Sequence, residues 1–196
     1  SAAHRVLPSF PTRRSSDLQN KAGMTNFKEG LAGVKAFIFD IDGVLSLQTI
    51  NLNVFGVPNR TVNLRDGYAL QLAVKKGYKV AIISGSNSKD YQKRLKQLGI
   101  TDVYLNSREK IDQYRYFRNK HKLKDSEILY MGDDIPDFHV MKEAGVPVCP
   151  SDADSEIRQL SVYVSDKKGG EGCVRDVIEQ VLRLHDRWMD SESFTW

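Results

Sequence analysis

Cysteine is scarce in this sequence, and long apolar runs are missing from it. The 196 residues include two cysteines, Cys149 and Cys173, which are far apart and form no Cys-x-x-Cys pair. This spacing excludes a disulfide scaffold and a thiolate zinc site, and it predicts a reducing, cytoplasmic environment. No apolar run approaches the roughly 18 residues that a membrane-spanning helix needs, so we expect no membrane partner.

The chain also lacks a strong charge of one sign outside its first residues. Its net charge is +4, of which residues 1–23 contribute +3 and the remaining 173 residues +1. Residues 24–196 are so close to neutral that they offer no strongly basic surface to a polyanion, and we therefore expect no nucleic-acid partner. Apolar residues make up 40 % and charged residues 28 % of the chain, which is the balance of one globular α/β domain at this length.

The first 23 residues show neither helical nor strand periodicity, and we interpret them as a leader outside the domain. Their segment SFPTRRSSDL, residues 9–18, resembles a translated sequencing-library adapter, and Met24 follows as a candidate start. We expect residues 24–184 to form a single domain and residues 185–196 to form a C-terminal tail.

Strand-like and helix-like segments alternate from residue 34 onward. Buried-strand patterns occupy residues 34–39, 79–83, 103–105, 128–131, 146–149 and 162–164. Helices are predicted at 66–76, 88–98, 109–121, after Pro136, and at 155–160 and 174–184. This alternation predicts an α/β fold with a doubly wound parallel sheet that is covered by helices on both faces.

One insertion, about residues 46–65, interrupts the alternation after the first strand. Apolar residues alternate with asparagines over residues 50–54, the segment Gly56–Asn59 predicts a turn, and the alternation resumes at Val62. These features predict a β-hairpin. Because an isolated two-stranded hairpin is marginal in water, we expect its apolar face to pack on a neighbouring subunit.

Polar residues follow three of the predicted strands at their carboxyl ends, where open α/β sheets bind ligands. They are Asp40–Gly43 (DIDG), Ser84-Gly85 and Gly132–Asp137 (GDDIPD), and Lys110 begins the helix after another strand. Each has a structural explanation when taken singly: a turn or cap for an aspartate, a strand-end cap for Ser84, a solvated helix charge for Lys110. The four features together, in this order on one face, favour a catalytic site.

Two carboxylates at this edge suit the hydrolysis of a phosphate monoester. Asp40, directly after its strand, is placed to act as nucleophile through an aspartyl-phosphate, and Asp42 is placed to protonate the leaving oxygen and then deprotonate water. Gly43 permits the tight turn between them. Because close carboxylates repel each other, we expect a Mg²⁺ site formed by Asp40, Asp133 and the backbone carbonyl of Asp42.

The other polar residues are assigned supporting roles. Ser84 and Gly85 are predicted to hydrogen-bond the phosphoryl oxygens. Lys110 is predicted to neutralise these oxygens while it pairs with the nucleophile. We expect Asp134 and Asp137 to support the metal from outside its direct ligands, although a first-turn acid favoured by the helix dipole stays open for Asp137. Arg65 and Arg175 are candidates to hold the remainder of an anionic substrate, and simple surface arginines stay open for both.

The motifs DIDGV, IISGS and GDDIPD, together with Lys110, resemble the four motifs of the haloacid dehalogenase superfamily of phosphohydrolases. The stretches VNLRDGYAL at residues 62–70 and GGEGCVRDV at residues 169–177 are similar to those of a capless subgroup that acts on sugar-acid phosphates. The resemblance implies a Rossmann-like fold without a cap domain and Mg²⁺ as cofactor. It also implies a homotetramer in which the hairpin reaches a neighbouring site.

The same resemblance implies a substrate. It is the 8-phosphate of 3-deoxy-D-manno-octulosonate, an eight-carbon keto acid of lipopolysaccharide precursor synthesis. The 9-phosphate of a related nine-carbon keto acid is one alternative, and a non-catalytic oligomerisation module of the same fold is another. Ser46-Leu47-Gln48 stands where the family more usually has Thr-Asp-Gly.

Overall fold

The computed structural model describes residues 27–195, which contain a parallel sheet of six strands. The strands are β1 (Ala36–Phe39), β2 (Lys79–Ile83), β3 (Asp102–Tyr104), β4 (Ile128–Met131), β5 (Val146–Cys149) and β6 (Tyr163–Val164). The helices are α1 (Phe27–Ala32), α2 (Leu64–Lys75), α3 (Lys89–Gln97), α4 (Lys110–Lys120), α5 (Phe138–Glu143), α6 (Ser155–Leu160) and α7 (Cys173–Leu184). The interpretation of residues 1–23 and of Met24 concerns residues outside the described range.

The strand order is β3-β2-β1-β4-β5-β6, and every neighbouring pair is parallel. The chain therefore winds outward twice from β1, first through β2 and β3 and then through β4 to β6. The point where the order reverses lies between β1 and β4, and in open α/β sheets the ligand crevice forms outside the strand ends at this point. The predicted α/β fold class is confirmed.

Side chains of the central strand divide between two cores because successive residues of a strand point to opposite faces. Phe37 and Phe39 pack into one core with residues of α1, α2, α3 and α7. Ala36 and Ile38 pack into the other core with residues of α4, α5 and α6. All four side chains are completely buried. Helices on both faces explain why β1 is apolar throughout.

The inserted segment between β1 and α2 is a hairpin with a single antiparallel bridge, between Leu52 and Pro58. Its turn is closed by the Gly56 N–H, which donates to the Asn53 carbonyl oxygen at 2.9 Å. The prediction of a turn at residues 56–59 is therefore wrong. The insertion also ends earlier than predicted, because the Asn63 side chain caps α2 by accepting from the backbone N–H groups of Arg65 and Asp66.

Two elements at the ends of the described chain were not predicted. Helix α1 precedes β1, and residues 185–195, predicted only as a C-terminal tail, fold back over α2. Lys76 pairs with Asp190 and Glu192, and Lys75 donates to the Thr195 carbonyl oxygen at 2.8 Å. These contacts fix the C-terminal segment on its own protomer.

Within residues 27–195, no helix combines the length and the apolar character that are needed to cross a membrane.

Candidate active site

The carboxyl ends of the central strands border a cavity of about 820 Å³. Its lining includes the predicted site residues that follow strands β1, β2 and β4, together with Lys110 at the start of α4. They are Asp40, Asp42, Gly43, Ser84, Gly85, Lys110, Asp133, Asp134 and Asp137. The remaining lining residues are Gln48, Arg60, Ser86, Ser107, Arg108, Pro136, Asp152 and Asp154. The structure thus brings these predicted groups to one opening.

Asp40 is fixed at the floor of this cavity by two hydrogen bonds. Its Oδ1 accepts from the Ile41 N–H at 2.6 Å, and its Oδ2 accepts from the Lys110 ammonium at 2.6 Å. Burial and the nearby charge of Asp137 raise the pKa of Asp40 to about 7, although Lys110 opposes this shift. The carboxylate is therefore held in one orientation beside a permanent cation.

Lys110 is a buried cation shared by two carboxylates. Its Nζ lies 2.6 Å from Asp40 Oδ2 and 2.8 Å from Asp137 Oδ1. Burial lowers the pKa of Lys110, but the two carboxylates more than offset this effect, and the net shift is upward. The ammonium consequently keeps its charge at neutral pH.

Asp137 connects three elements of the site and is completely buried. Its Oδ1 accepts from Lys110 and from the Tyr130 hydroxyl, and its Oδ2 accepts from the Asp133 N–H at 3.2 Å. A first-turn helix acid that only faces solvent would make none of these bonds. The sequence pattern places Tyr130 only in a buried strand, because an apolar run does not show which partner a tyrosine hydroxyl binds.

Asp133 packs directly against Gly43. Gly43 has a φ of +82°, and a Cβ at this position would lie 1.9 Å from Asp133 Oδ2, so glycine is required both by the turn and by the close approach. Burial and the charges of Asp40 and Asp137 raise the pKa of Asp133 to about 8, while a hydrogen bond from Gln48 opposes this shift. A side chain at position 43 would displace the Asp133 carboxylate.

Carboxylate oxygens of Asp40, Asp133 and Asp137 lie within 4.8 Å of one another. The raised pKa values of Asp40 and Asp133 reflect burial and repulsion from neighbouring carboxylates, and a bound cation would favour the charged forms. Hard oxygen donors in this number suit Mg²⁺. Asp137 is already occupied by Lys110 and Tyr130, so Asp40 and Asp133 are the better fitted pair of ligands.

Asp42 is paired with an arginine that the sequence patterns did not single out. Arg60 Nε and Nη2 donate to the two oxygens of Asp42 at 2.7 and 2.8 Å. The Arg60 side chain is 11 % exposed, whereas the Asp42 side chain is 43 % exposed and faces the cavity. The pairing joins the inserted hairpin to the β1 loop, and no periodicity or spacing in the sequence reports such a contact.

Ser84 lies at the end of β2, where its side chain is part of a local network. Its Oγ donates to Ser86 Oγ at 3.1 Å and accepts from the Ser86 N–H at 3.2 Å. Its carbonyl oxygen accepts from the Ser107 N–H at 3.0 Å. Ser84, Ser86 and Ser107 all line the cavity.

The chain is similar in sequence to characterised phosphatases. The family model for haloacid dehalogenase-like hydrolases matches residues 62–150. The 3-deoxy-D-manno-octulosonate 8-phosphate phosphatase of Yersinia pestis is 32 % identical over 156 residues, which cover 80 % of this chain and 83 % of that protein. The enzyme of the same name from Escherichia coli K12 is 33 % identical over 149 residues, which cover 76 % of this chain and 79 % of that protein.

This chain belongs to the 3-deoxy-D-manno-octulosonate 8-phosphate phosphatase family.

Solved structures of this family agree in fold. The Yersinia pestis phosphatase has a TM-score of 0.80 at 31 % identity, with 83 % of this chain and 88 % of that chain covered. The Moraxella catarrhalis phosphatase, crystallised with a magnesium ion, a phosphate ion and a 3-deoxy-D-manno-octulosonate molecule, has a TM-score of 0.77 at 31 % identity. In that comparison 81 % of this chain and 91 % of the Moraxella chain are covered. The predicted family is confirmed.

Two residues that were candidates to bind substrate lie outside the active-site cavity. Arg65 and Arg175 line a separate cavity of about 550 Å³ beside α7. Arg175 Nε lies 3.2 Å from Glu179 Oε2, and its guanidinium stacks 5.2 Å from the centre of the Trp188 ring. Neither arginine joins Asp40 in this protomer.

Asp134 and Gln48 occupy the rim of the cavity. Asp134 is exposed, and its Oδ1 accepts from the Ile135 N–H at 2.7 Å, which caps a short 3₁₀ helix. Gln48 Nε2 donates to Asp133 Oδ2 at 3.2 Å and to the Asp152 carbonyl oxygen at 3.0 Å. Gln48 belongs to the segment that departs from the family pattern, so this departure still contributes a contact to the site.

Proposed function

We propose that this chain is a Mg²⁺-dependent phosphatase that hydrolyses the 8-phosphate of 3-deoxy-D-manno-octulosonate through an aspartyl-phosphate on Asp40. The observation that carries the proposal is the buried cluster in which Lys110 bridges Asp40 and Asp137, next to Asp133. Relatives with this activity in their names are 32 % and 33 % identical to the chain. The Moraxella structure, with its magnesium, phosphate and sugar acid, supports the same assignment.

The nucleophile in this proposal is Asp40. Its two hydrogen bonds, from the Ile41 N–H and from Lys110, hold the carboxylate rigidly for attack on phosphorus. As the phosphorus–oxygen ester bond breaks, the leaving sugar oxygen takes a proton from Asp42. Asp42 then removes a proton from water, and the water attacks phosphorus, which frees phosphate and restores Asp40.

The negative charge of the phosphoryl oxygens is balanced by Ser84, Lys110 and the bound metal. Ser84 donates from its hydroxyl, and Lys110 supplies a fixed positive charge that needs no rearrangement during the reaction. Asp40, Asp133 and the backbone carbonyl of Asp42 would hold Mg²⁺, which supplies further neutralisation of the phosphoryl oxygens when bound. Asp137 and Asp134 support this arrangement from outside the direct ligands.

Arg60 orients the acid–base residue. Because its guanidinium engages both oxygens of Asp42, one of these bonds must be released when Asp42 carries the proton that it gives to the leaving oxygen. The pair also ties the hairpin to the catalytic loop. A movement of the hairpin is therefore coupled to the position of Asp42.

The hairpin supports a homotetramer as the working assembly. Its apolar residues Leu52, Val54 and Phe55 are 64 %, 93 % and 85 % exposed, which is unusual for side chains of this size in a single protomer. A neighbouring subunit that covers them would also close an active site that has no cap domain. The functional unit is one domain over residues 24–184 with the C-terminal segment docked on it, and the two buried free thiols fit a cytoplasmic location.

The experiment measures phosphate release from the eight-carbon 8-phosphate and from the nine-carbon keto-acid 9-phosphate, each with Mg²⁺ and with a chelator. We expect metal-dependent turnover with a higher kcat/KM for the eight-carbon substrate. A preference for the nine-carbon acid would keep the mechanism and replace the substrate. Inert behaviour toward both and toward p-nitrophenyl phosphate would favour the oligomerisation module.

A further inference from the structure

Three cationic side chains line the active-site cavity, and two of them are already engaged. Lys110 is bound by Asp40 and Asp137, and Arg60 is bound by both oxygens of Asp42. Arg108 also lines the cavity, but it makes no hydrogen bond or ion pair with any residue between 27 and 195. It is therefore the cation that remains available to an incoming anion.

The backbone that carries Arg108 is anchored to the phosphoryl side of the cavity. The neighbouring Ser107 donates from its N–H to the Ser84 carbonyl oxygen at 3.0 Å and from its hydroxyl to the Tyr104 carbonyl oxygen at 3.2 Å. The Asn106 N–H donates to the Ser86 carbonyl oxygen at 3.0 Å. These bonds fix the loop between β3 and α4, while the Arg108 side chain itself is exposed at the mouth.

The negative charges of the cavity lining favour such a cation beside an anionic leaving group. The lining carries seven aspartates, namely Asp40, Asp42, Asp133, Asp134, Asp137, Asp152 and Asp154. A sugar acid brings a carboxylate in addition to its phosphate, and these aspartates would repel this second anion. A guanidinium fork matches a carboxylate in geometry and charge, and Arg108 is placed to supply it.

We propose that Arg108 binds the carboxylate of the sugar-acid part of the substrate and so selects acids over neutral sugars. The proposal rests on the proposed function, since a substrate without a carboxylate would give Arg108 nothing to bind there. It assigns to Arg108 the role that sequence patterns had suggested for Arg65 and Arg175, which line a different cavity in this protomer.

The test compares the wild type with Arg108→Ala and Arg108→Lys on two substrates. One is 3-deoxy-D-manno-octulosonate 8-phosphate, and the other is p-nitrophenyl phosphate, which has no carboxylate. We expect Arg108→Ala to lower kcat/KM for the sugar-acid phosphate by about 10- to 100-fold, mainly through KM, because one charged hydrogen-bonding pair is lost. Turnover of p-nitrophenyl phosphate stays within about twofold, and Arg108→Lys recovers part of the loss because lysine keeps the charge without the fork.

Two further measurements complete the experiment. Free 3-deoxy-D-manno-octulosonate is tested as an inhibitor of p-nitrophenyl phosphate hydrolysis, and its inhibition constant is expected to rise in Arg108→Ala by a similar factor. Arg158→Ala is the matched control, since Arg158 is also exposed but lies on α6, outside the active-site cavity. We expect this control to leave both substrates unchanged in the same preparation.

The possible outcomes distinguish the role of Arg108 from the identity of the substrate. An equal loss on both substrates would show that Arg108 binds the phosphoryl group, and no loss on either would show that it is not a substrate contact; both results overturn the proposal. A wild-type enzyme that turns over p-nitrophenyl phosphate but not the sugar-acid phosphate would overturn the proposed substrate and, with it, the carboxylate role. A sugar-acid-specific loss in Arg108→Ala supports both.

Discussion

Replacing Lys110 with methionine tests the electrostatic core of the site. Methionine keeps most of the side-chain volume, so the variant removes the charge without leaving a large cavity. Two carboxylates lose their partner, because the ammonium lies 2.6 Å from Asp40 Oδ2 and 2.8 Å from Asp137 Oδ1. Lys110 is only 5 % exposed, so the ion pair has little contact with solvent.

The expected cost follows from the burial of both partners. Removing one member of a buried ion pair destabilises a protein by about 3–5 kcal/mol, because an uncompensated charge is left behind. The cost falls at low pH, since the pKa of Asp40 is raised to about 7 and its carboxyl is neutral well below that value. We therefore expect a loss of about 3–5 kcal/mol in the free energy of unfolding at pH 8 and a smaller loss at pH 5.

The assay is urea unfolding of the metal-free proteins at the two pH values. Lys120→Met is the matched control on the same helix, where Lys120 pairs with Asp102 but is 44 % exposed, and we expect its loss of stability to be clearly smaller. Adding Asp137→Asn to Lys110→Met should recover part of the stability by removing one orphaned charge. Equal losses in Lys110→Met and Lys120→Met would refute the reasoning.

Two other predictions concern a buried acid and the exposed hairpin. Asp66 Oδ1 accepts from the Arg175 N–H at 2.7 Å, its Oδ2 has no partner among the described residues, and burial raises its pKa from 3.8 to about 6. The neutral Asp66 carboxyl therefore stabilises the fold fully below about pH 4, and this contribution is lost as the pH rises through 6. In urea unfolding, the stability of Asp66→Asn relative to the wild type should increase by up to about 3 kcal/mol between pH 4 and pH 8. A difference that does not change with pH would contradict this prediction. The Leu52→Ser/Phe55→Ser double variant should sediment as a smaller species than the wild type, whereas Leu184→Ser, at another exposed apolar position, should not; identical profiles for all three proteins would contradict the proposed role of the hairpin.

Much of the fold could be predicted because its signals are local. The strands β1, β2 and β4 are short, mostly apolar and buried runs, and each is followed within two residues by a polar side chain at the same edge of the sheet. Parallel strands bring their carboxyl ends together, so the meeting of Asp40, Ser84 and Asp133 follows from the alternation alone. The helix that begins at Lys110 completes the same edge.

The parts that could not be predicted depend on contacts between distant segments. The Arg60–Asp42 pair joins an inserted hairpin to the β1 loop, and the Tyr130 hydroxyl reaches Asp137 from within an apolar strand. Neither contact changes the periodicity of its own segment. The hairpin turn was misplaced because Gly56 closes a turn that starts at Asn53, although the Gly56–Asn59 segment itself has the composition of a turn.

Arg65 illustrates a different limit. Its stretch is typical of the family, but a motif does not report which cavity a side chain enters. In this protomer Arg65 follows the capping residue Asn63 at the start of α2 and lies in the cavity beside α7. Arg108 had no motif to mark it, and only the geometry of the β3–α4 loop places it at the catalytic opening.

The most direct test of the account is phosphate release from 3-deoxy-D-manno-octulosonate 8-phosphate by the wild type and by Asp40→Asn, each with Mg²⁺ and with a chelator. The account predicts rapid release by the wild type that requires the metal and release by Asp40→Asn that is reduced to the background rate, because the variant has no carboxylate to attack phosphorus. Asp40→Asn that folds normally and retains turnover comparable to the wild type would contradict the central role of Asp40.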